Sequence, residues 1–301
     1  KGAYCMFRVL MICFLIVLPF SGLAEVIHKE RSLYRNILVE KSGDLLCLKF
    51  NEKTRKSTQS CMYESKPKKL VFNYTKMTFA SLLFIDNPQN VLIIGLGGGS
   101  LSNTIHELYP EASIENVEID PAVIKVARDY FSFVETDNVT SKVQDGRIFI
   151  KRAALKKQKY DWIILDAFNG DYIPEHLLTK EFFAEVKSIL ADGGIVAANT
   201  FSSSKLYQHE SATYFDVFGD FVNVVTDENS NRIILAGFET MPSQQQLAER
   251  ANKLANKLTP YDVDLQLLRE HLFYTKGNQD WPADTKVLTD QYSPVNLLNY
   301  Q

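Results

Sequence analysis

A glycine-rich turn between an apolar strand and a helix restricts the fold of this chain more than any other sequence feature. Residues 91–95 form a continuous apolar run typical of a buried parallel strand. A turn with glycines at Gly95, Gly97, Gly98 and Gly99 follows directly. Glycines let the backbone pass close to a ligand, and the helix after them presents free amide groups at its N-terminus. The G-x-G-G-G spacing differs from the dinucleotide fingerprint G-x-G-x-x-G, but its context predicts a nucleotide-binding α/β domain.

Strand and helix patterns alternate after this turn. Strands are predicted over residues 91–95, 113–120, 139–144, 160–166, 195–200, 221–226 and 232–238, and helices over 101–109, 121–130, 147–156, 179–190 and 206–218. Such alternation indicates a doubly wound, mostly parallel sheet. Seven strands with a final hairpin are typical of the methyltransferase type of Rossmann-like fold. Further helices are predicted over residues 77–85, 243–257 and 261–273.

The segment before residue 77 has a different pattern. Short strand-like runs at 34–40, 44–50 and 57–63 predict a small N-terminal antiparallel β domain. A hairpin over the last two runs places Cys47 opposite Cys61. The pair is either a disulfide formed in an oxidising compartment or two small half-buried residues on neighbouring strands.

The first 24 residues form a separate leader-like segment. Lys1 and Arg8 precede an apolar run over residues 9–20, and small residues lead to Ala24. This pattern is typical of a secretory signal, with a membrane anchor or a misassigned start as alternatives. We expect export to the periplasm or anchoring at a membrane, with a cytoplasmic location as the alternative. The chain is thus divided into a leader (1–24), an N-terminal β domain (25–76) and a Rossmann-like catalytic domain (77–301).

Charge and histidine content restrict the partners. A formal net charge of −3 argues against nucleic acid as the main partner and is compatible with a small cationic amine. The five histidines are scattered without the spacing of metal ligands, so we predict no metal site.

Acidic residues follow three of the predicted parallel strands. Because ligands of open α/β sheets bind beyond the carboxyl ends of the strands, these acids share one crevice. Glu118 is placed to accept the ribose hydroxyls of a nucleoside, and Asp145, beside Gly146, to accept from an adenine amino group. A carboxylate at Asp166 could orient an amine and take its proton. The predicted nucleoside contacts are Gly95, Gly97, Gly98, Gly99, Glu118, Asp120, Asp145 and Gly146.

Taken in order, the glycine-rich turn, the strand end at Glu118, Asp145 with Gly146 and the loop after Asp166 resemble the spermidine synthase family, including its spermidine-synthase-like members. The resemblance covers about residues 34–225 and recurs at 287–294. It implies transfer of an aminopropyl group from decarboxylated S-adenosylmethionine to an amine such as putrescine, with release of methylthioadenosine. It also implies a homodimer.

The same resemblance assigns individual roles. It implies that Glu118 holds the ribose, Asp145 holds the adenine, and Asp166 deprotonates the attacking amine. It places Gln59, Tyr74 and Asn169 among the residues that bind the substrates.

Three departures from the family pattern leave other functions open. Gly98 and Asn169 stand where the family has acids, and Lys76, near Tyr74, would repel a diamine if it faced the site. One alternative is a small-molecule methyltransferase that uses S-adenosylmethionine itself. The other is a non-catalytic exported protein that binds a nucleoside or a polyamine.

Overall fold

The computed structural model describes residues 24–50, 58–168, 172–226 and 230–294. Residues 1–23, where most of the predicted leader falls, lie outside the described residues. In the described part of the chain, no helix is both long and apolar enough to cross a membrane.

The N-terminal part of the chain forms an antiparallel sheet of four strands in sequence order. The strands are β1 (Glu25–Arg31), β2 (Asn36–Ser42), β3 (Leu45–Lys49) and β4 (Thr58–Tyr63). Three of them were predicted from the sequence, but β1 was missed. It is an edge strand held by backbone pairing with β2, and its apolar residues Val26 and Ile27 are exposed, so it lacks the alternation that marks a half-buried strand.

A disulfide joins β3 to β4. Cys47 lies opposite Cys61 in the antiparallel register, and the two sulfur atoms are bonded. The predicted hairpin pairing is therefore confirmed, and of the two interpretations of the cysteines the structure has the disulfide. The predicted loop over residues 51–56 lies outside the described residues.

Removing this disulfide is expected to destabilise the N-terminal sheet. The cysteines are 14 residues apart, and closing a loop of that length stabilises a fold by about 3 kcal/mol relative to the open chain. A Cys47→Ser, Cys61→Ser double variant should lose about this free energy of unfolding in urea titrations. Adding a reductant should lower the midpoint of the parent and leave that of the double variant unchanged. If the urea midpoint of the parent were the same with and without the reductant, the expectation would be contradicted.

The central sheet has eight strands in the order β12-β10-β11-β9-β8-β5-β6-β7. They are β5 (Asn90–Ile94), β6 (Ser113–Glu118), β7 (Val139–Val143), β8 (Tyr160–Leu165), β9 (Leu190–Phe201), β10 (Val222–Val225), β11 (Asn231–Ala236) and β12 (Leu272–Tyr274). Strands β5 to β9 pair in parallel, and β10, β11 and β12 pair antiparallel. The chain runs from β5 outward through β6 to β7 and then returns to β8 on the other side of β5, and this reversal creates a crevice at the carboxyl ends of β5 and β8.

Helices cover both faces of this sheet. They are α1 (Asn73–Thr78), α2 (Ser100–Leu108), α3 (Pro121–Tyr130), α4 (Gly146–Leu155), α5 (Lys180–Ile189), α6 (Tyr207–Phe218), α7 (Gln244–Leu258) and α8 (Leu265–Glu270). Successive residues of β5 enter opposite cores, with Val91 and Ile93 in one and Leu92 and Ile94 in the other. Burial on both faces explains the continuous apolar run, and the predicted Rossmann-like fold class is confirmed.

Two of the predicted helices, over residues 77–85 and 261–273, were wrong in extent or type. The helix predicted over 261–273 is the short α8 followed by an eighth strand, β12, because a three-residue strand is too short to show a period. The helix predicted over 77–85 is instead α1 followed by a 3-10 helix, Phe79–Leu83. Helix α1 crosses the proposed domain boundary at residue 76.

The N-terminal sheet is fastened to the central domain through α3. Ile37, Val39, Leu46 and Leu48 of β2 and β3 pack against apolar residues of α3, including Val123. Since α3 follows β6, this contact brings the N-terminal sheet over the carboxyl ends of the central strands.

Candidate active site

A cavity of about 310 Å³ lies between the N-terminal sheet and the carboxyl ends of β5, β6 and β8. Eight of the residues predicted from the sequence line it: Gln59, Tyr74, Gly95, Gly97, Glu118, Asp145, Gly146 and Asp166. The structure thus brings together residues that are far apart in the chain. Asn169, also predicted, lies outside the described residues.

The glycine turn lets β5 end against the loop that follows β8. Gly95 has a φ of +97°, and its amide donates to the carbonyl oxygen of Val117 over 2.8 Å. A Cβ atom on Gly95 would lie 2.2 Å from the carbonyl oxygen of Asp166. Only glycine therefore permits this approach, and the turn is fixed directly beside Asp166.

Gly98 and Gly99 are packed closely against neighbouring side chains. A Cβ on Gly98 would meet Ser60 Oγ at 2.7 Å, and one on Gly99 would meet the Phe133 ring at 2.6 Å. Neither residue lines the main cavity. Both glycines therefore have a packing role, because β4 and the segment after α3 approach them closely, and their predicted contact with a nucleoside stays a prediction.

Glu118 ends β6 at the wall of the cavity. Its Oε2 accepts from the amide of Leu96 over 3.2 Å, and its Oε1 accepts from the amide of Asp120 over 3.0 Å. Burial raises the pKa of Glu118, although these amides and Arg35 oppose the rise. Each carboxylate oxygen has a second lone pair, so Glu118 can still accept two hydroxyl groups of a ligand.

Asp120 takes a different position from the predicted one. Its carboxylate caps α3 by accepting from the amide of Ala122 over 3.0 Å, and Ser32 Oγ donates to it over 2.6 Å. Its Oδ2 lies 3.8 Å from Nε of Arg35. Asp120 is fully buried and does not line the cavity. Its contacts in this structure link the N-terminal sheet to α3, and its predicted contact with a nucleoside stays a prediction.

Asp145 and His176 close one end of the cavity. Asp145 caps α4 by accepting from the amide of Ile148 over 2.9 Å, and its Oδ2 lies 3.0 Å from His176 Nε2. This hydrogen bond lowers the pKa of Asp145. The sequence alone does not identify this pairing, because His176 and Asp145 are 31 residues apart in the chain.

An arginine network supports the same end of the cavity from behind. Arg147 makes two hydrogen bonds to Glu185 of α5, at 2.9 and 3.0 Å, and two to Asp290, at 2.7 and 2.8 Å. It also donates to the carbonyl oxygen of His176 over 3.3 Å. The segment 287–294, which the sequence marks only by resemblance, is thereby tied to the loop that carries His176.

Asp166 follows β8 at the floor of the cavity. Its backbone amide donates to the carbonyl oxygen of Ile94, and Asn199 Nδ2 donates to its Oδ1 over 2.9 Å. The hydroxyl of Tyr74 makes a second side-chain hydrogen bond to it. Burial raises the pKa of Asp166 to about 7, a rise that the charge of Glu118 adds to and the hydrogen bonds from Asn199 and Tyr74 oppose. A carboxyl group with this pKa exchanges protons readily near neutrality, as a general base must.

Lys76 does not face the cavity. Its Nζ lies 2.5 Å from an oxygen of Asp262, and Lys69 shares the same carboxylate at 3.3 Å. The repulsion between Lys76 and a cationic substrate that the sequence raised as a possibility therefore has no structural basis.

Comparisons with known proteins agree with this architecture. Residues 71–227 match the family model described as the spermine/spermidine synthase domain. A polyamine aminopropyltransferase of Vibrio vulnificus (strain CMCP6) is 46% identical over 283 residues, which is 93% of this chain and 94% of the relative.

Two solved structures extend the comparison. A probable spermidine synthase from Corynebacterium glutamicum has a TM-score of 0.68 at 21% identity, covering 89% of this chain and 98% of its own. Human methyltransferase-like protein 13 in complex with SAH has a TM-score of 0.59 at 26% identity, covering 63% of this chain and 93% of its own. The similarity to the Corynebacterium glutamicum protein covers most of both chains and shows the shared fold.

Proposed function

Since the chain belongs to the spermine/spermidine synthase family, we propose that it is a polyamine aminopropyltransferase, which moves an aminopropyl group from decarboxylated S-adenosylmethionine to an amine such as putrescine. One observation supports the proposal independently of the family match. Asp166, with its pKa near 7, shares a single cavity with the Glu118 carboxylate and the glycine turn. A proton acceptor and a nucleoside cradle therefore lie side by side.

In the proposed reaction the unprotonated amine nitrogen attacks the propyl carbon next to the donor sulfur. The new C–N bond forms as the C–S bond breaks, and the sulfur leaves as neutral methylthioadenosine. The nitrogen then carries an extra proton, which passes to the ionised carboxylate of Asp166. The protein's main contributions are to align the two reactants and to accept this proton.

The donor end of the cavity is formed by the glycine turn, Glu118 and Asp145. Two hydroxyls of a ribose match the free lone pairs of Glu118, and a purine amino group matches the carboxylate that Asp145 shares with His176. The acceptor end is formed by Asp166, Tyr74 and Gln59. Their proximity in one cavity supports the assignments that the family resemblance implies.

Glu118→Gln is expected to weaken nucleoside binding. The new amide keeps one acceptor oxygen, and its NH2 group would face one of the backbone amides that now donate to Glu118. Losing a charged hydrogen bond of this kind weakens binding by about 10- to 100-fold. Calorimetry with methylthioadenosine measures the change.

The matched control for this variant is Glu115→Gln on the same strand. Glu115 accepts from the hydroxyl of Tyr160 over 2.6 Å and does not line the cavity. The affinity of the Glu115→Gln variant for methylthioadenosine should equal that of the parent. Equal affinities of the parent and both variants would show that Glu118 does not bind the nucleoside.

The direct test of function is a donor comparison. The chain is incubated with putrescine and either decarboxylated S-adenosylmethionine or S-adenosylmethionine, and the nucleoside products are assayed by mass spectrometry. Methylthioadenosine formed only from the decarboxylated donor, above a protein-free control, is the expected result. S-adenosylhomocysteine from the other donor would favour a methyltransferase. No product, with methylthioadenosine still bound, would favour the binding-only function.

Export of the chain, or its anchoring at a membrane, is a second proposal. It is supported by the leader-like pattern of residues 1–24 and by the Cys47–Cys61 disulfide, since such bonds persist in oxidising compartments. Fractionation of cells that express the full-length protein tests it, and finding the protein only in the cytoplasm would overturn it. The homodimer implied by the resemblance is tested by light scattering of the purified chain.

A further inference from the structure

Two asparagines stand in neighbouring strands beside Asp166. Asn199 follows four buried apolar residues of β9, and Asn231 begins β11. These strands pair antiparallel with Asn231 opposite Phe201 and Ile233 opposite Asn199. Because side chains alternate between faces, Asn199 and Asn231 lie on the same face of the sheet as diagonal neighbours.

The two amides form a chain of hydrogen bonds that ends on Asp166. Asn231 Nδ2 donates to Asn199 Oδ1 over 2.9 Å, and Asn199 Nδ2 donates to Asp166 Oδ1 over 2.9 Å. The oxygen of Asn199 is thus held toward Asn231, which leaves its NH2 group to face the carboxylate.

We propose that Asn231 is a positioning residue that acts through Asn199 to keep Asp166 in its proton-accepting form. The inference rests on the proposed function, because it assigns Asp166 the role of base. Neither asparagine is expected to touch the reacting atoms.

The physical reason is that an amide has two orientations with opposite preferences. With its NH2 group toward Asp166, Asn199 can only donate, which favours the ionised carboxylate. With its oxygen toward Asp166, it could only accept, which would favour the protonated acid. In the structure the NH2 group of Asn231 faces the oxygen of Asn199, and this hydrogen bond stabilises the first orientation.

Other groups around Asp166 act independently of the hydrogen bonds that join Asn231, Asn199 and Asp166. Tyr74, on α1, donates a second hydrogen bond to Asp166, and the charge of Glu118, at the end of β6, favours the protonated form. Arg35 from the N-terminal sheet lies near Asp120, and His176 is paired with Asp145 across the cavity. None of these contacts includes Asn199 or Asn231, so a substitution at Asn231 leaves them in place.

Asn231→Leu is the first test. This substitution removes the Asn231 NH2 donor without adding charge, so the side-chain amide of Asn199 becomes free to flip its orientation. The pH midpoint of kcat should rise by about one pH unit, with an approximately tenfold lower rate below the midpoint and little change at high pH. KM for the amine should stay within about twofold, because the acceptor contacts are unchanged.

Asn231→Asp is the second test, because an ionised acceptor at this position demands the NH2 group of Asn199. It should move the midpoint at least as far as Asn231→Leu. The exposed neighbour Ser230→Asp adds the same charge without an amide contact and serves as the control for charge alone. Thermal melting shows whether each variant is folded.

A titration that needs no turnover separates this inference from the proposed function. The infrared band of the protonated Asp166 carboxyl, assigned by difference from Asp166→Asn, gives its midpoint directly. Higher midpoints in Asn231→Leu and Asn231→Asp, with Ser230→Asp unchanged, would support the inference even if the parent transferred no aminopropyl group. Midpoints equal to the parent's, whether or not the rates fall, would overturn it.

Discussion

Asp166→Asn should reduce kcat for aminopropyl transfer by about 10²- to 10⁴-fold while leaving the fold and nucleoside binding intact. Asparagine has nearly the same shape as aspartate but cannot take the proton that the attacking amine must lose. Ionising Asp166 in its buried position costs free energy, as its raised pKa indicates, so a neutral residue should leave the melting temperature at pH 8 unchanged or higher. Rates with saturating decarboxylated S-adenosylmethionine and putrescine measure the loss.

The matched control is Asp161→Asn on the same strand. Asp161 lies at the other end of β8, where its carboxylate accepts from the amides of Gln89 and Asn90 over 2.8 Å each. This variant should lose some stability and keep kcat within about twofold of the parent. A rate for Asp166→Asn equal to that of Asp161→Asn would show that Asp166 is not the base.

The pH dependence provides a further criterion with a definite sign. A base acts when it is ionised, so kcat/KM of the parent should rise with pH through the pKa of Asp166, about 7 in the free protein. Residual activity of Asp166→Asn should lack this acid limb. An acid limb that persists in Asp166→Asn would assign the titration to another group.

The sequence predicts the acids of the site because their placement follows from the topology alone. Glu118, Asp145 and Asp166 come directly after, or at the ends of, parallel strands, and the carboxyl ends of such strands meet at one edge. No knowledge of side-chain packing is needed for that step. The cavity accordingly contains all three.

The contacts that tune these acids could not be predicted in the same way. Asn199 meets Asp166, and Asn231 meets Asn199, only because β9 and β11 pair in one particular antiparallel register. His176 meets Asp145 through a segment after β8 whose position, including the hydrogen bond from Arg147 to the His176 carbonyl, depends on tertiary packing. Asn199 is a polar residue in an otherwise apolar strand, and this is the one signal in the sequence that would have pointed to these contacts around the acids.

The structure also gives a physical reason for one departure from the family pattern. Gly98 stands where the family resemblance leads us to expect an acid, and in this chain a Cβ there would lie 2.7 Å from Ser60 Oγ and in tight contact, at 3.1 Å, with the Phe131 ring. Ser60, beside Gln59 on β4, therefore occupies the space into which an acid would extend.

Gly95→Ala should have the largest structural effect of any single methyl group added near the site. The φ of +97° costs an L-residue about 1–2 kcal/mol by itself. The new Cβ would also lie 2.2 Å from the Asp166 carbonyl oxygen and 2.7 Å from its carbon. Backbone atoms cannot turn aside as a flexible side chain can, so the ends of β5 and β8 must separate.

We expect Gly95→Ala to lower the free energy of unfolding by more than about 3 kcal/mol, at the upper end of single substitutions. The fraction that folds should also lose about 10²-fold in kcat, because displacing Asp166 by about 1 Å misaligns the proton acceptor. Urea titration and rates corrected for the folded fraction measure the two effects.

Gly193→Ala separates the effect of the close contact from the effect of a positive φ. Gly193 has a φ of +70°, but a Cβ there would meet nothing within 4 Å. The Gly193→Ala variant should lose only the cost of the positive φ, about 1–2 kcal/mol, with kcat unchanged. If the two variants lost equal stability, the close contact between Gly95 and Asp166 would contribute nothing. A larger loss in Gly95→Ala alone would show that the glycine turn and the loop after β8 are held in place by the same backbone contact.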